Sequence, residues 1–105
     1  MLIVETSVFT RRVRALLGDD EYRLLQVHLA GQPEAGPIIR GSGGLRKVRW
    51  SFGARGKRGG VRVIYYWAKP LDRILMLLLY PKSERDDLTP DQLRVLRKIV
   101  EAEYP

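Results

Sequence analysis

Apolar positions in the front of the chain follow a helical spacing. Phe9, Val13, Leu16 and Leu17 share one face of a segment that Thr6 or Ser7 is placed to cap and Gly18 to end. A second helix is predicted from Asp19, Asp20 and Glu21, its N-cap and first turn, where negative charge meets the positive end of the helix dipole. Tyr22, Leu25 and Leu29 form its buried stripe, and Gly31 and Pro33 stop it. The two helices make an αα-hairpin. Ahead of them, Leu2-Ile3-Val4 is short, apolar and partly β-branched, and reads as a strand.

From Gln32 to Gly44 the chain is rich in Gly and Pro and reads as a loop. The spacing then changes from helical to alternating. Strands are predicted over Leu45 to Phe52, Val61 to Trp67 and Arg73 to Tyr80, joined by connections short enough for antiparallel hairpins. The last of the three is apolar on both faces, which suits a central strand covered on both sides. Thr89-Pro90-Asp91-Gln92 has the pattern of a capping box with Pro at the first helical position, and Leu93, Leu96, Ile99 and Val100 follow on one face. These elements predict an α+β fold: a small antiparallel sheet with an N-terminal αα-hairpin and a C-terminal helix. Residues 1–105 form one domain, with no internal repeat.

Charge adds the first functional clue. The 105 residues include 19 Lys and Arg against 12 Asp and Glu, a formal net charge of +7. Eight of the basic residues (Arg40, Arg46, Lys47, Arg49, Arg55, Lys57, Arg58 and Arg62) fall in a stretch without Asp or Glu, so more than the whole net charge is concentrated there. Such a block favours a polyanion through phosphate contacts and counterion release. Strand alternation puts Leu45, Lys47 and Arg49 on one face, and Arg62, Ile64 and Tyr66 on one face of the next strand. If the registers agree, Lys47, Arg49 and Arg62 join in one cationic surface.

Composition removes several chemistries. There is no cysteine, hence no disulfide scaffold, thiolate metal site or cysteine nucleophile. The single histidine, His28, lies among apolar neighbours in the second helix and reads as a packing or surface residue, which excludes a histidine-pair ribonuclease and a zinc site. Gly53 to Gly60 is glycine-rich but lacks the spacing of a phosphate loop. The start, Met1-Leu2-Ile3-Val4-Glu5, meets a charge too early for a signal peptide, and Ile74 to Leu79 is too short to span a bilayer. A cytoplasmic protein is expected, without metal or cofactor. What remains is Lys/Arg chemistry with carboxylate or phenol assistance. Cleavage of RNA by its own 2′-hydroxyl needs proton removal, charge stabilisation at phosphorus and proton delivery to the leaving oxygen. Arginine suits the second step, and lysine, tyrosine or glutamate the others. The segment Tyr80 to Asp87 leaves the last strand where such groups can meet the basic patch; the competing reading is a polar loop before a helix.

Three blocks carry a family resemblance: Gly41-Ser42-Gly43-Gly44-Leu45-Arg46-Lys47-Val48-Arg49, then Gly56 to Tyr66, then Leu79-Tyr80-Pro81-Lys82-Ser83-Glu84. With Asp20-Glu21-Tyr22, Asp87-Leu88 and the closing helix, they resemble a HigB-type member of the RelE/ParE toxin superfamily. The resemblance implies a microbial RNase-like fold, a curved antiparallel sheet with helices packed on one side. It implies the toxin of a type II toxin–antitoxin pair, a metal-independent endoribonuclease that cuts messenger RNA in the A site of the small ribosomal subunit. It also implies a cognate antitoxin, in HigB systems one with a helix-turn-helix domain of the HigA kind, and operator DNA reached only through the toxin–antitoxin complex.

By position, Lys47 and Arg49 match basic residues of the family's first hairpin strand. Arg62 matches the strand arginine that stabilises the phosphate, and Lys82 and Glu84 match the Lys-x-Glu after the last strand. Arg62, Lys82 and Glu84 are therefore the expected catalytic set, with Lys82 and Glu84 handling protons. Lys47, Arg49, Arg55, Lys57 and Arg58 are expected to bind RNA, and Tyr66 and Tyr80 are candidates to stack on a base, sheet packing being their competing role. RelE proper has arginine where this chain has Ser83, lysine where it has Arg49, and a tyrosine near its end where this chain has Thr89 or nothing equivalent, so the RelE proton-transfer assignment does not carry over. The alternatives are a non-catalytic nucleic-acid-binding module using the same patch, a degenerate toxin kept as a binding partner, and a structural protein with a solvated basic face. The acid-free block disfavours the last, because ordinary surfaces intersperse charges of both signs.

Overall fold

A computed structural model describes residues 1–51 and 60–105. The order of elements is β1 (Leu2–Glu5), α1 (Ser7–Leu16), α2 (Asp19–Gly31), β2 (Arg46–Trp50), β3 (Val61–Ala68), a 3₁₀ turn (Lys69–Leu71), β4 (Arg73–Pro81) and α3 (Pro90–Glu103). The end of the strand expected to reach Phe52, and the RNA-binding residues expected at Arg55, Lys57 and Arg58, lie outside the described residues.

The strands form one sheet in the order β1-β4-β3-β2. β2, β3 and β4 are antiparallel neighbours, as alternation and short connections predict, and β4 is an inner strand. β1 pairs with β4 in parallel, which makes the sheet mixed rather than wholly antiparallel. β1 and β2 lie at opposite edges, so the αα-hairpin between them carries the chain across one face of the sheet.

Caps set the helix ends. The Thr6 hydroxyl accepts from the Phe9 N–H at 3.1 Å and starts α1. α2 has Gly18 rather than Asp19 at its N-cap; the Glu21 carboxylate accepts the Gly18 N–H at 2.7 Å and satisfies one of the donors a helix start leaves open. At α3, Thr89 and Gln92 satisfy each other's backbone N–H groups, the expected capping box behind Pro90.

The core is double. Phe9, Val13, Leu25 and Leu29 of the hairpin pack on Val48, Val63, Tyr65, Ile74, Met76 and Leu79. On the other face, Leu96 and Val100 of α3 pack on Leu45, Ile64, Leu75, Leu77 and Tyr80. The helices therefore do not all lie on one side: α3 covers the face that carries Arg62, because Ile64 and Tyr66 leave apolar surface there. Ile99, expected in the buried stripe of α3, stays exposed. A register shift at Ile64/Tyr65 places both Leu77 and Leu78 on the α3 face, and the Thr6 hydroxyl donates to the Leu77 carbonyl at 2.8 Å. His28 packs its ring on Trp50, with centroids 5.4 Å apart.

Gln32 to Gly44 is tied down more firmly than a surface loop. Buried Tyr65 donates its hydroxyl to the Pro33 carbonyl (2.6 Å) and accepts the Gly36 N–H (2.9 Å). Ile38 bridges to Arg46, and the Pro37 carbonyl accepts the Lys47 N–H.

Candidate functional site

The register of β2 on β3 gathers the predicted cations. Arg49 stands opposite Arg62 and Lys47 opposite Ile64, while on the other side of β3 Arg62 faces Tyr80 of β4. Residues paired in this way share a face, so Arg49, Arg62 and Tyr80 form a row across three strands, with Lys47 beside it. The row lies at the end of the sheet where β4 runs out into residues 82–88.

Arg62 is the unusual member. It is 2% exposed, one of the three buried polar or charged residues among those described, with Glu21 and Ser42. Burying a charge is costly unless it is paired. Asp86 supplies a carboxylate, its Oδ1 3.5 Å from Arg62 Nη2. The next residue, Asp87, holds Lys47 Nζ at 2.5 Å. That hydrogen bond and the Lys47 charge hold the Asp87 carboxyl below the usual range, with Arg49 and Arg62 acting in the same direction. Two adjacent aspartates thus each engage a different cation of the surface.

Tyr80 is buried under this loop. Its hydroxyl donates to the Asp86 carbonyl at 3.3 Å, and the Arg85 guanidinium lies 6.0 Å above its ring centroid. Burial, then the nearby Asp87 charge, pushes the phenol above its ordinary value, so it stays protonated at neutral pH. A pocket of about 170 Å³ opens beside it, lined by Lys47, Ile64, Tyr80, Asp87, Leu88 and Leu93 among others.

The architecture has solved counterparts. The chain is similar to a chain of the intact E. coli RelBE toxin–antitoxin complex, with a TM-score of 0.58 and 15% identity over 76% of this chain and 94% of that one. It is similar to E. coli RelE carrying two arginine-to-alanine changes, in the free state, with a TM-score of 0.60 and 14% identity over 93% and 94% of the two chains. It is also similar to the isolated E. coli RelE toxin, with a TM-score of 0.58 and 14% identity over 93% and 97%. The chain has the RelE fold. No family model matches its sequence.

On this RelE fold the sequence-predicted site residues separate. Lys47, Arg49 and Arg62 come together. Lys82 is exposed, and its N–H donates to the Gly60 carbonyl just before β3, which fixes its backbone at the end of the row. Glu84 is not arranged as the partner of Lys82. Its carboxylate binds Arg12 Nη2 at 2.9 Å and lies 3.6 Å from Arg85 Nε. Tyr80 presents no open ring face and forms part of the floor, correcting its reading as a stacking residue. Tyr66 is half-buried, with its ring stacked on Tyr104 at 6.0 Å between centroids. Gly44, with φ +103°, lies close by, a Cβ there coming within 3.2 Å of the Tyr66 ring.

Three contributors were given no site role in the sequence. Asp86 and Asp87 lay within the loop marked as able to meet the patch, but without roles of their own. Arg12 bridges from α1, donating through Nε to the Leu79 carbonyl at 2.7 Å and through Nη2 to Glu84. Its only local signal is its position, three residues after Phe9 and next to Val13, on the edge of the buried stripe. Among the described residues, no three His, Cys, Asp or Glu side chains gather as a metal site, and no helix is long and apolar enough to cross a membrane.

Proposed function

We propose that this chain is the toxin of a type II toxin–antitoxin pair of the HigB kind, a cytoplasmic endoribonuclease that cuts messenger RNA in the ribosomal A site. The observation that supports it most is the buried Arg62 set between Arg49 and Tyr80, on a chain with the RelE fold. A guanidinium held in a partly dehydrated site is suited to the charge that builds on a phosphate in the transition state.

In the proposed reaction the 2′-oxygen attacks phosphorus, the bond to the 5′-oxygen breaks, and a cyclic phosphate and a free 5′-hydroxyl result. Arg62 stabilises the phosphorane oxygens. The proton leaving the 2′-hydroxyl passes to a carboxylate, and Lys82 supplies one to the departing 5′-oxygen. We assign the carboxylate to Asp86, beside Arg62, because Glu84 is already engaged by two arginines. Lys47 and Arg49 hold neighbouring phosphates. With few proton-transfer groups on the protein, the ribosome supplies part of the substrate geometry. The partners are an antitoxin protein, of the helix-turn-helix kind in HigB systems, and operator DNA reached through it.

The test is induced expression in a bacterium, with primer extension on a translated message and on the same message lacking its start codon. Growth arrest with cuts only in the translated message, lost in Arg62→Ala and reduced in Lys82→Ala, is the expected result. Normal growth without cuts, together with salt-sensitive RNA binding, would replace this reading with a non-catalytic binding module.

A further inference from the structure

A second basic groove lies outside the row described above. The loop after Ile39 and the first two turns of α3 enclose about 210 Å³, lined by Arg40, Leu88, Pro90, Leu93, Arg94 and Arg97 among others. Three arginines from two separate segments line it. The loop is shaped to receive one of them: Gly43 has φ +74°, and a Cβ there would come within 2.9 Å of Arg97 Nε. A bare backbone at Gly43 lets that side chain lie against the loop.

The cations of this groove are held weakly. Arg94 pairs with Asp91 and Arg97 with Glu101 along the same helix, and both arginines are at least half exposed. Such surface pairs contribute little and exchange readily for a stronger anion. Arginine forks fit phosphate oxygens two at a time. Leu88 and Leu93 line this groove and also the Lys47 pocket, so together they form an apolar ridge between two basic hollows.

We infer that the Arg40–Arg94–Arg97 groove is a second phosphate-binding site for single-stranded RNA, which crosses the Leu88–Leu93 ridge with one phosphate held near Lys47 and Arg62 and another held by the α3 arginines. The ridge is an apolar surface for the face of the intervening base. The inference deepens the ribonuclease reading and rests on it for the direction of the strand. The site itself sets affinity and leaves the chemical step alone, because Arg62 is not among the residues that line it.

The test uses the full chain and a fluorescent 2′-O-methyl oligoribonucleotide, which cannot be cleaved by its own 2′-oxygen. Binding is followed by anisotropy across a salt series for wild type, Arg94→Gln/Arg97→Gln and a control, Arg11→Gln/Arg23→Gln, on the exposed hairpin helices. Loss of two phosphate contacts from a single strand lowers the slope of log K against log salt by about 1.4 and weakens binding by roughly 25-fold at 0.1 M salt. That result, with an unchanged control, supports the groove. An unchanged slope in the α3 variant, an equal loss in the control, or no binding by wild type overturns it. Cleavage of ribosome-bound message is measured separately with the same proteins. A lowered slope without any cleavage leaves the groove standing and removes the nuclease reading; cleavage with an unchanged slope does the reverse.

Discussion

Arg49 and Arg62 stand directly opposite each other across β2 and β3, two like charges at a cross-strand pair, with Arg62 almost fully buried. Opposed like charges destabilise a sheet, and burial adds a desolvation cost. Asp86, 60% exposed, offsets part of this. Arg62→Met is expected to abolish cleavage with a stability change within about 1 kcal/mol, the repulsion and desolvation it relieves offsetting the pairing it removes. Primer extension checks the first part and urea titration the second; a large destabilisation would make Arg62 a structural residue.

Tyr22 predicts a response to alkali. Its hydroxyl donates to Glu5 Oε2 at 2.5 Å, and Glu5 Oε1 accepts from Thr10, tying β1 to both hairpin helices. Burial, then the Glu5 hydrogen bond and charge, raises the phenol far above its ordinary value. A raised value means that the folded state keeps a proton the unfolded chain releases. The stabilisation is whole below pH about 10 and is lost as pH rises past it. Tyr22→Phe should cost about 1 kcal/mol at neutral pH and make the alkaline loss shallower. Tyr65 and Tyr80, raised chiefly by burial, keep some of the slope. Chemical denaturation at pH 7 and from pH 9 to 11 measures both effects.

The loop before β2 makes a separate prediction. A Cβ on Gly36 would lie 2.8 Å from the backbone carbon and oxygen of Lys47, neither of which is free to swing away. Gly36→Ala is expected to cost about 2–3 kcal/mol by forcing the loop off β2. Tyr65→Phe, which leaves the Pro33 carbonyl and the Gly36 N–H without their partner, costs about 1–3 kcal/mol. The two substitutions act on one contact, so the double variant should lose less than the sum. Additive losses would show that the loop is not held at this point.

Much of this was legible in local pattern. Thr6, Thr89 and Gln92 cap the helices for which their chemistry suits them, and alternation puts Lys47, Arg49 and Arg62 on one face before any register is known. That α3 covers part of that face was not read from the sequence, where the resemblance implied helices on one side only; Ile64 and Tyr66 supply the apolar surface it packs on. The parallel pairing of β1 was not legible, because Leu2-Ile3-Val4 carries no turn that would fix its neighbour. Nor was the fate of Glu84: its partner Arg12 is 72 positions away, and nothing in either segment marks the pair. Short-range chemistry reads from spacing, whereas a long-range ion pair is decided by how the sheet end and α1 meet.

That difference decides which carboxylate the proposed mechanism uses. Glu84 lies between Arg12 and Arg85, and Arg12 also holds the Leu79 carbonyl, so the natural role of Glu84 is to position the loop. Asp86 faces the buried Arg62 and is open to water, and a substrate phosphate arriving at Arg62 must meet or displace it. Asp86→Asn should lower the cleavage rate by about 100-fold, because an amide cannot accept the proton. Glu84→Gln keeps the shape and a hydrogen bond to Arg12, and should cost less than about tenfold. Single-turnover cleavage of ribosome-bound message separates them. If Glu84→Gln is the variant that loses the rate, the proton passes through Glu84, and the loop must rearrange to release it from Arg12 when the substrate binds.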